Sequence, residues 1–408
     1  MVPGFGSGIF VGGVQMTLIG QKVTVLGAGV AGLAVARALA LRGARVTIVE
    51  QADAVRDIGA GLQVSPNGAA VLRGLGLGAA LEAGAIRAAA VELRDGPTGE
   101  LVTRLEVGRR AGLGYHFVHR ADLIALLLDG AREAGVELRL LHRVVGVDLT
   151  GARPVMRFAD GRQDEAGLLI GADGLHSPTR AALNGRVAPY FTGQVAWRAV
   201  IAGDGGAAVA EVHLGAGRHL VSYPLRGGAL RNIVAVEERR GWAAESWSLR
   251  DDGLALQLAF KTFGPRVRAW LDQVEDVHLW GLFRHKVAKV WGRTLPEGAV
   301  AVLGDAAHPM LPFLAQGANM ALEDAWVLAA CLAEHDTLGS AIAAYQGARE
   351  GRAARVVDAA SRLAKSYHLG GIARVVAHAG LRLGGRLAPD LALGRFNWLY
   401  GHDVTTAR

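Results

Sequence analysis

The stretch Val23-Thr-Val-Leu-Gly-Ala-Gly-Val-Ala-Gly-Leu33 joins an apolar, β-branched run to three glycines spaced as Gly-x-Gly-x-x-Gly. We predict a strand that runs from Val23 into the first glycine, followed by a helix over about 31–41 that Gly43 ends. A second β-branched run over 45–50 closes on an acidic residue. This order of elements predicts a β-α-β unit at the start of a parallel sheet.

Each glycine of this unit, and the acid that ends it, has a separate physical task. Gly27 makes the tight turn, Gly29 lets a pyrophosphate approach the backbone, and Gly32 lets the helix pack closely on the strand. The positive N-terminal end of the helix holds the phosphates. Glu50 is placed to accept hydrogen bonds from an adenosine ribose, and Gln51 is a further adenosine-side candidate. The pattern predicts a dinucleotide site; a Gly-rich turn in a chain with 57 glycines is the alternative.

The composition is that of a globular protein with more than one domain. The chain has 408 residues, of which 51% are hydrophobic and 20% are charged, and this length suits two or three domains. No apolar run approaches the roughly 20 residues of a membrane-spanning helix. The single cysteine, Cys331, excludes an internal disulfide and a multi-cysteine metal site, and we predict no metal site.

The net charge of +7 is accompanied by no nucleic-acid-binding motif, so we expect no nucleic-acid partner. The first 15 residues carry no charge and lack the basic region and sustained apolar core of a secretion signal. We therefore predict a disordered leader over 1–15, a natural start at Met16 and a cytoplasmic protein.

Later segments extend the pattern of the opening unit. A buried strand over 168–171 ends in a Gly-Ala-Asp-Gly turn, and another over 299–303 ends in Gly-Asp. Residues 190–285 alternate as antiparallel strands do, whereas the pattern from Gly317 onward is helical.

We therefore predict an α/β fold with a Rossmann-like three-layer domain, an inserted, mostly antiparallel β-sheet domain and a helical C-terminal tail. The predicted bounds are 16–75, 110–189 and 286–369 for the discontinuous three-layer domain, 76–109 and 190–285 for the sheet domain, and 370–408 for the tail.

Three motifs stand in a fixed order: Gly27-x-Gly29-x-x-Gly32, Gly171-Ala-Asp173-Gly174 and Gly304-Asp305-Ala-Ala-His-Pro309. In this order and spacing, the chain resembles the single-component FAD aromatic hydroxylases, the class typified by para-hydroxybenzoate hydroxylase. Within that class it is most similar to the salicylate, 3-hydroxybenzoate and 6-hydroxynicotinate hydroxylases. The resemblance covers nearly all of residues 16–400 and implies that the three-layer domain binds FAD.

The resemblance also implies which residues hold FAD. Asp305 would accept a hydrogen bond from a ribityl hydroxyl, and Asp173 would brace the turn beside the pyrophosphate, where Arg180 offers positive charge. Arg120 matches an arginine near the FAD phosphate and ribityl chain; a surface salt bridge is the alternative for it.

Further implied positions lie around the flavin ring. Gly304 ends the last buried strand, and Pro312 shapes the loop beside the ring. The segment Gly317-Ala318-Asn319 opens the next helix, whose N–H groups and dipole would face the flavin edge that becomes negative on reduction.

The reaction implied by the resemblance needs O2 and NADH or NADPH, a transient co-substrate. The nicotinamide reduces FAD, oxygen adds at flavin C4a, and the resulting hydroperoxide hydroxylates an electron-rich ring. We find no second Gly-x-Gly-x-x-Gly after the second strand, so no separate nicotinamide-binding domain is expected.

His219 and Tyr223 are the candidates for handling a phenol. Four residues apart in a strand, they point to one face about 13 Å apart. They are similar to the pair that contacts the phenolic substrate in the 3-hydroxybenzoate and 6-hydroxynicotinate enzymes, which implies that His219 is the base and that Tyr223 orients the ring. A core histidine beside a core aromatic is the alternative. His213 is a lesser candidate, and Gln316 or Asn319 could contact the other side of the substrate.

Several alternatives remain open at this stage. Arg198, Arg226 and Arg284 could each bind a substrate carboxylate. The substrate could also be a larger ring, such as a polyketide or quinone precursor, and a quinone-type enzyme would associate with a membrane through the basic 349–408 tail. A non-catalytic flavin-binding protein is the remaining alternative. The segment 398–400 near the C-terminus is a candidate homodimer contact.

Overall fold

The structure, a computed structural model, describes residues 18–55, 60–109, 114–239, 241, 245, 250–387 and 394–406. The predicted leader and the predicted start at Met16 lie outside the described residues. The strands are β1 (Lys22–Leu26), β2 (Arg45–Val49), β3 (Gly61–Val64), β4 (Ile86–Arg87), β5 (Ala90–Asp95), β6 (Leu101–Leu105), β7 (His116–His119), β8 (Glu137–Arg139), β9 (Val144–Asp148), β10 (Val155–Phe158), β11 (Gln163–Glu165), β12 (Leu168–Gly171), β13 (Tyr190–Ala202), β14 (Val209–Gly215), β15 (Arg218–Leu225), β16 (Leu230–Glu238), β17 (Arg250–Asp252), β18 (Asp276–Arg284), β19 (Gly292–Leu295) and β20 (Gly298–Val302).

The α-helices are α1 (Val30–Ala40), α2 (Pro66–Gly74), α3 (Gly78–Gly84), α4 (Arg120–Glu133), α5 (Pro178–Asn184), α6 (Gly253–Ala259), α7 (Pro265–Leu271), α8 (Gly317–Glu334), α9 (Leu338–Tyr367) and α10 (Gly371–Leu387). A last helical turn spans Asn397–Tyr400.

The predicted β-α-β unit forms the middle of a six-stranded sheet. Its strand order is β19-β20-β12-β1-β2-β8, and every neighbouring pair except β19–β20 is parallel. All residues of β12 and β20 are buried, as expected for central parallel strands that are covered on both faces. Helices α1, α4 and α8 pack together on this domain, and Met156 and Phe158 of the separate β9–β10–β11 sheet join the same core.

A second, eight-stranded sheet has the order β17-β18-β13-β16-β15-β14-β5-β6 and is antiparallel except where β14 runs parallel to β5. Trp197, Phe260 and Trp270 share one core cluster, so helices α6 and α7 cover one face of this sheet. The sequence did not predict these two helices. Each has seven residues, too short for a helical period to stand out among the strands.

The C-terminal part of the chain wraps back onto both sheets. Helix α10 packs against β6, and Leu399, in the turn that follows, is buried in the main core. The candidate homodimer segment 398–400 is packed within the chain: Leu399 is buried, and Trp398 and Tyr400 are half-buried. The guanidinium of Arg355 lies over the Trp398 ring, 3.9 Å from the ring centroid. Tyr400 packs edge-on against Tyr115.

The predicted fold class is confirmed: a Rossmann-like three-layer α/β domain carries a mostly antiparallel sheet and a helical C-terminal region. Within the part of the chain that the structure describes, no helix is both long and apolar enough to cross a membrane.

Candidate active site

Close packing accounts for two of the three glycines in the first loop. A Cβ added to Gly32 would lie 1.9 Å from the carbonyl oxygen of Gly27, and one added to Gly27 would lie 2.5 Å from the carbonyl oxygen of Ala172. No side chain can be accommodated at such distances. At Gly29, by contrast, a Cβ would meet no atom within 4 Å. Gly29 lines the cavity described below, so its backbone is open to a ligand.

Glu50 holds this loop from the end of β2. One carboxylate oxygen accepts a hydrogen bond from the Ala28 N–H at 2.7 Å, and the other accepts one from the Ala52 N–H at 2.9 Å. Gln51 beside it is exposed. Each Glu50 oxygen has a second lone pair, so contact with a ribose stays a prediction for Glu50, as it does for Gln51.

Asp173 stabilises the turn after β12. Its carboxylate accepts hydrogen bonds from the Ser177 hydroxyl at 2.5 Å and from the Thr179 N–H at 3.0 Å, and burial raises its pKa despite these bonds. Arg180, which was expected to offer positive charge beside the pyrophosphate, keeps its charge but is not among the residues that line the cavity described below. Its guanidinium donates to the carbonyl oxygens of Ala306 and Ala307 at 3.2 and 3.1 Å, and this ties the second motif to the third.

The third motif, which follows β20, is held by a buried ion cluster. Asp324 of α8 accepts a hydrogen bond from the Gly304 N–H at 3.0 Å and contacts His308 Nε2 at 2.5 Å and Arg349 Nε at 2.7 Å. Burial opposes ionisation of Asp324, but His308 and Arg349 outweigh it and hold its pKa far below the usual range. His308 is therefore a structural residue of this motif, buried against Asp324.

Asn319 occupies the first turn of α8 but does not line the cavity. Its fully buried side chain accepts a hydrogen bond from the Ser65 N–H at 3.0 Å and donates to the Gln63 carbonyl at 2.9 Å. The Gln316 amide is likewise engaged, with the Ser65 hydroxyl at 3.0 Å. Asn319 therefore fixes the start of α8 to the segment after β3. Of the two candidates for a contact on the other side of the substrate, Gln316 lines the cavity and Asn319 does not.

A cavity of about 480 Å³ lies between the three-layer domain and the eight-stranded sheet. Of the predicted cofactor residues, those that line it are Gly29, Arg120, Asp305, Pro312, Gly317 and Ala318. The Asp305 carboxyl opens into this cavity, and enclosure by the protein raises its pKa although His308 and Arg120 oppose the shift. The cavity thus presents a hydrogen-bonding carboxyl, a guanidinium and the N-terminal ends of α1 and α8 to one space.

The sheet forms the other wall, and β15 places His219, Val221 and Tyr223 on it. Alternate residues of a strand share a face, so His219 and Tyr223 lie on the same face of β15, as predicted. His213 is excluded from this wall. It is buried against Trp270, with ring centroids 5.7 Å apart, and lies 3.2 Å from the Glu211 carboxylate.

Burial shifts both side chains toward their neutral forms. It lowers the pKa of His219 well below its ordinary value, with a smaller contribution from His368, and it raises the pKa of Tyr223 strongly, against Arg198 and a hydrogen bond with Gln63. At neutral pH the cavity wall therefore offers a neutral imidazole that can accept a proton and a phenol that can donate a hydrogen bond.

Of the three arginines left open by the sequence, Arg198 lines the cavity, with its guanidinium over the Trp280 ring, 4.0 Å from the centroid. Arg226 pairs with Asp122 at 2.7 Å, and Arg284 pairs with Asp358 at 2.7 Å. Neither of these two is among the residues that line the cavity.

Several cavity residues were not found by sequence reasoning. They are Glu245, His285, Tyr367, Phe396 and Tyr400. The last three come from the end of α9 and from the C-terminal turn, more than 140 residues from His219 along the chain. An aromatic residue in an Ala- and Arg-rich helix gives no local signal of this position, because only the packing of the C-terminal region brings it there.

The residues around the cavity fit FAD. Gly29 leaves the N-terminus of α1 open where a pyrophosphate would need close approach, and Asp305 and Arg120 supply an acceptor and a cation beyond it. Gly317 and Ala318 expose the first N–H groups of α8, whose first turn contains no acidic residue. Among the described residues, no group of three or more His, Cys, Asp or Glu side chains could hold a metal ion.

This fold and site define a flavin-dependent monooxygenase of aromatic rings. The chain belongs to the FAD binding domain family, whose model matches residues 21–360. It is 36% identical to a 3-amino-4-hydroxybenzoate 2-monooxygenase of Streptomyces platensis, over 94% of this chain and 96% of the relative. It is 34% identical to a 3-hydroxybenzoate 6-hydroxylase of Klebsiella oxytoca, over 93% of this chain and 96% of the relative.

A solved salicylate hydroxylase in complex with its substrate superposes with a TM-score of 0.77 at 25% identity, covering 95% of this chain and 96% of that one. The resemblance drawn from three motifs is therefore confirmed, and the protein is an FAD-dependent aromatic-ring monooxygenase.

Proposed function

We propose that this enzyme hydroxylates a small phenolic aromatic acid of the salicylate, 3-hydroxybenzoate or 6-hydroxynicotinate type, with O2 and NADH or NADPH as co-substrates. The observation that carries the proposal is the meeting of three groups on one cavity wall: the His219 imidazole, the Tyr223 phenol and the Arg198 guanidinium. These are a proton acceptor, a hydrogen-bond donor and a cation, which match the hydroxyl and the carboxylate of such a substrate.

Each residue has a defined task in this proposal. Arg198 binds the carboxylate and thereby fixes the ring, and its stacking on Trp280 at 4.0 Å orients the guanidinium. Neutral His219 accepts the phenolic proton, which raises the electron density of the ring. Tyr223, four residues away on the same face of β15, stays protonated and donates a hydrogen bond that orients the ring.

FAD, when bound and reduced by the nicotinamide, activates O2 and supplies the electrophilic oxygen. Asp305 and Arg120 would hold its ribityl–phosphate chain, and the N-terminus of α8 would stabilise negative charge on the reduced ring. The apolar side chains Met310, Leu311 and Phe313 line the same cavity and exclude water from the reaction.

Relatives that act on 3-hydroxybenzoate and on 3-amino-4-hydroxybenzoate support a hydroxybenzoate-sized substrate. One observation favours a larger ring: the cavity continues along apolar side chains of β5 and β14, among them Val91, Leu93 and Val212. A substrate with a second ring could extend over them.

A substrate panel separates these alternatives. NADH and NADPH oxidation by the FAD-loaded protein is measured with monohydroxybenzoates, 3-amino-4-hydroxybenzoate, 6-hydroxynicotinate and two-ring phenols, and the products are identified by mass spectrometry. We expect stimulated oxidation and a hydroxylated or decarboxylated-hydroxylated product with a one-ring acid. Product from two-ring phenols alone would favour the larger-ring function. Retained FAD without product from any compound would favour a non-catalytic flavin-binding protein.

A further inference from the structure

His219 is connected to the protein surface by a chain of hydrogen bonds. Its Nδ1 lies 2.8 Å from Nε2 of His368, and Nδ1 of His368 lies 2.8 Å from a carboxylate oxygen of Glu238. Both imidazoles are nearly fully buried, whereas the Glu238 side chain is 54% exposed. This series of hydrogen bonds therefore starts at the cavity wall and ends in solvent.

Backbone hydrogen bonds hold the three segments that carry this chain. The Gly217 N–H donates to the His368 carbonyl at 3.1 Å, and the Glu238 N–H donates to the Gly217 carbonyl at 2.9 Å. Gly217 immediately precedes β15, on which His219 lies, and Glu238 ends the neighbouring strand β16. His368, just past the end of α9, is thus fixed against both strands before any substrate arrives.

The direction of the hydrogen bonds follows from the acceptor at the surface. A carboxylate can only accept, so Nδ1 of His368 carries the proton and its Nε2 presents a lone pair. That lone pair in turn requires a proton on Nδ1 of His219. The remaining nitrogen, Nε2 of His219, is then a lone-pair acceptor, as a base for a phenol in the cavity must be.

We propose that His219, His368 and Glu238 form a proton relay that carries the phenolic proton from the closed cavity to solvent. The relay rests on the proposed function, since that function supplies the phenol. His368 and Glu238 act through His219 and are positioning residues, because neither is among the residues that line the cavity.

The proton count balances along the relay. The phenol O–H bond breaks and its proton joins Nε2 of His219, while the Nδ1 proton of His219 passes to Nε2 of His368. The Nδ1 proton of His368 then passes to the Glu238 carboxylate and from there to water. One proton enters and one leaves, both rings exchange tautomer, and the reverse sequence returns a proton to the product oxygen and resets the relay.

The other groups that face the two rings leave the imidazoles neutral. Tyr367 of α9 packs on His219 with ring centroids 5.1 Å apart. The uncharged amide nitrogen of Gln194 on β13 lies 3.4 Å from Nδ1 of His368, whereas the Glu238 carboxylate lies at 2.8 Å and is the closer partner of that nitrogen. Burial lowers the pKa of His368; Glu238 opposes the shift and the positive charge of Arg218 adds to it. Two neutral rings in contact carry one proton at a time, which suits a relay better than a pair of cations would.

The first test follows the proton directly, without turnover. The probe is 4-hydroxy-3-nitrobenzoate, a phenolic acid whose phenolate is coloured, bound to the FAD-loaded protein without nicotinamide. After a rapid upward pH jump, we expect Glu238→Gln and His368→Gln to slow the appearance of bound phenolate by about tenfold or more, with the probe Kd and the FAD content unchanged.

Matched controls isolate the relay. Glu237→Gln changes the adjacent carboxylate, which pairs with Arg218 and Arg239 instead, and His335→Gln changes another imidazole at a helix C-terminus, here that of α8. Both should match the wild-type rate. A wild-type rate in Glu238→Gln, or an equal slowing in Glu237→Gln, would overturn the relay.

The second test needs no substrate. Nitrogen-15 NMR of labelled histidines, assigned by comparison with His219→Gln and His368→Gln, should find the proton on Nδ1 of both rings at neutral pH. A proton on Nε2 of either ring would overturn the relay even if the probe binds. Failure of the probe and of every acid in the substrate panel to bind would instead contradict the proposed function, and with it the phenol as proton source, whatever the tautomers are.

Discussion

The carboxylate of Asp324 lies 2.5 Å from Nε2 of His308 and fastens the loop that carries Asp305 to helix α8. The same carboxylate accepts the Gly304 N–H and pairs with Arg349. The fully buried Asp324 carboxylate thus fixes the position of Asp305 relative to the N-terminus of α8. Asp305 is the residue predicted to bind the ribityl chain.

Replacing this anion should destabilise the protein and weaken FAD binding. Asp324→Asn removes one of the two buried carboxylates that pair with Arg349, Glu323 being the other, and takes the carboxylate partner from His308. Breaking a buried pair costs about 3–5 kcal/mol. The free energy of unfolding from urea titration and the FAD retained after gel filtration check this. Asp358→Asn, which removes the partner of Arg284 in an exposed pair, should cost at most about 1 kcal/mol. Equal losses in the two variants would refute the role assigned to Asp324.

Gly29→Trp should abolish FAD retention without unfolding the protein. A Cβ at this position meets no protein atom within 4 Å, so a side chain can leave the backbone without a clash, but an indole would occupy the approach to the N-terminus of α1. Flavin absorbance after desalting and the thermal unfolding midpoint measure the two effects. Gly347→Trp, at an exposed position in α9 where a Cβ also meets nothing, should keep both. Full flavin content in Gly29→Trp would remove residues 27–32 from the FAD site.

Arg198→Met should raise KM for phenolic acids much more than it lowers kcat. The substitution keeps the apolar contact with Trp280 and removes the charge, and a hydrogen bond to a charged group contributes about 1.5–3 kcal/mol, or roughly 10- to 100-fold in affinity. Steady-state kinetics with an acid and with the matching phenol that lacks the carboxylate check the assignment. Arg226→Met, outside the cavity, is the control. An unchanged KM for the acid would exclude Arg198 as its partner.

The pH dependence of kcat/KM should reflect a neutral His219. Because burial places the pKa of His219 and of His368 below the ordinary value, which is about 6.5, protonation should not inhibit the enzyme until the pH falls below that range. Neutral imidazole is the active form, so activity is present above the folded-state pKa and is lost as the pH falls through it. Initial rates across the pH range check this, and an acidic limb centred above about pH 7 would contradict it.

Folding stability should decrease in acid for the same reason. The folded-state pKa values of His116, His219, His368, His378 and His402 are all lowered, with burial as the main cause. The unfolded chain therefore takes up protons first, so stability is complete above about pH 6.5 and declines as the pH falls below it. Urea unfolding at a series of pH values measures the decline. An unchanged free energy of unfolding between pH 7 and pH 5 would disprove it.

Local sequence was sufficient for the features that depend on local chain geometry. The Gly-x-Gly-x-x-Gly turn is dictated by a contact between Gly32 and Gly27 within the same loop, and the shared face of His219 and Tyr223 follows from the two-residue period of a strand. Both could be predicted because the physical cause lies within a few residues of the feature.

Features that depend on distant packing could not be predicted in this way. His368 reaches His219 across 149 residues, and Tyr400 reaches the cavity only because the C-terminal turn folds back onto the core. Asn319 lies at the start of α8 as predicted, but the direction of its side chain is set by Ser65, 254 residues earlier. In each case the decisive partner lies on another element, and no spacing within the sequence encodes it.

The proposed reaction inserts one atom of O2 into a phenolic acid. The direct measurement is turnover of the FAD-loaded protein with NADH or NADPH under labelled O2, using the acid that stimulates oxidation most, with mass analysis of the product. We expect one labelled oxygen atom per product molecule and nicotinamide consumption that depends on the acid. Nicotinamide oxidation that yields only hydrogen peroxide, or a product whose new oxygen comes from water, would contradict it.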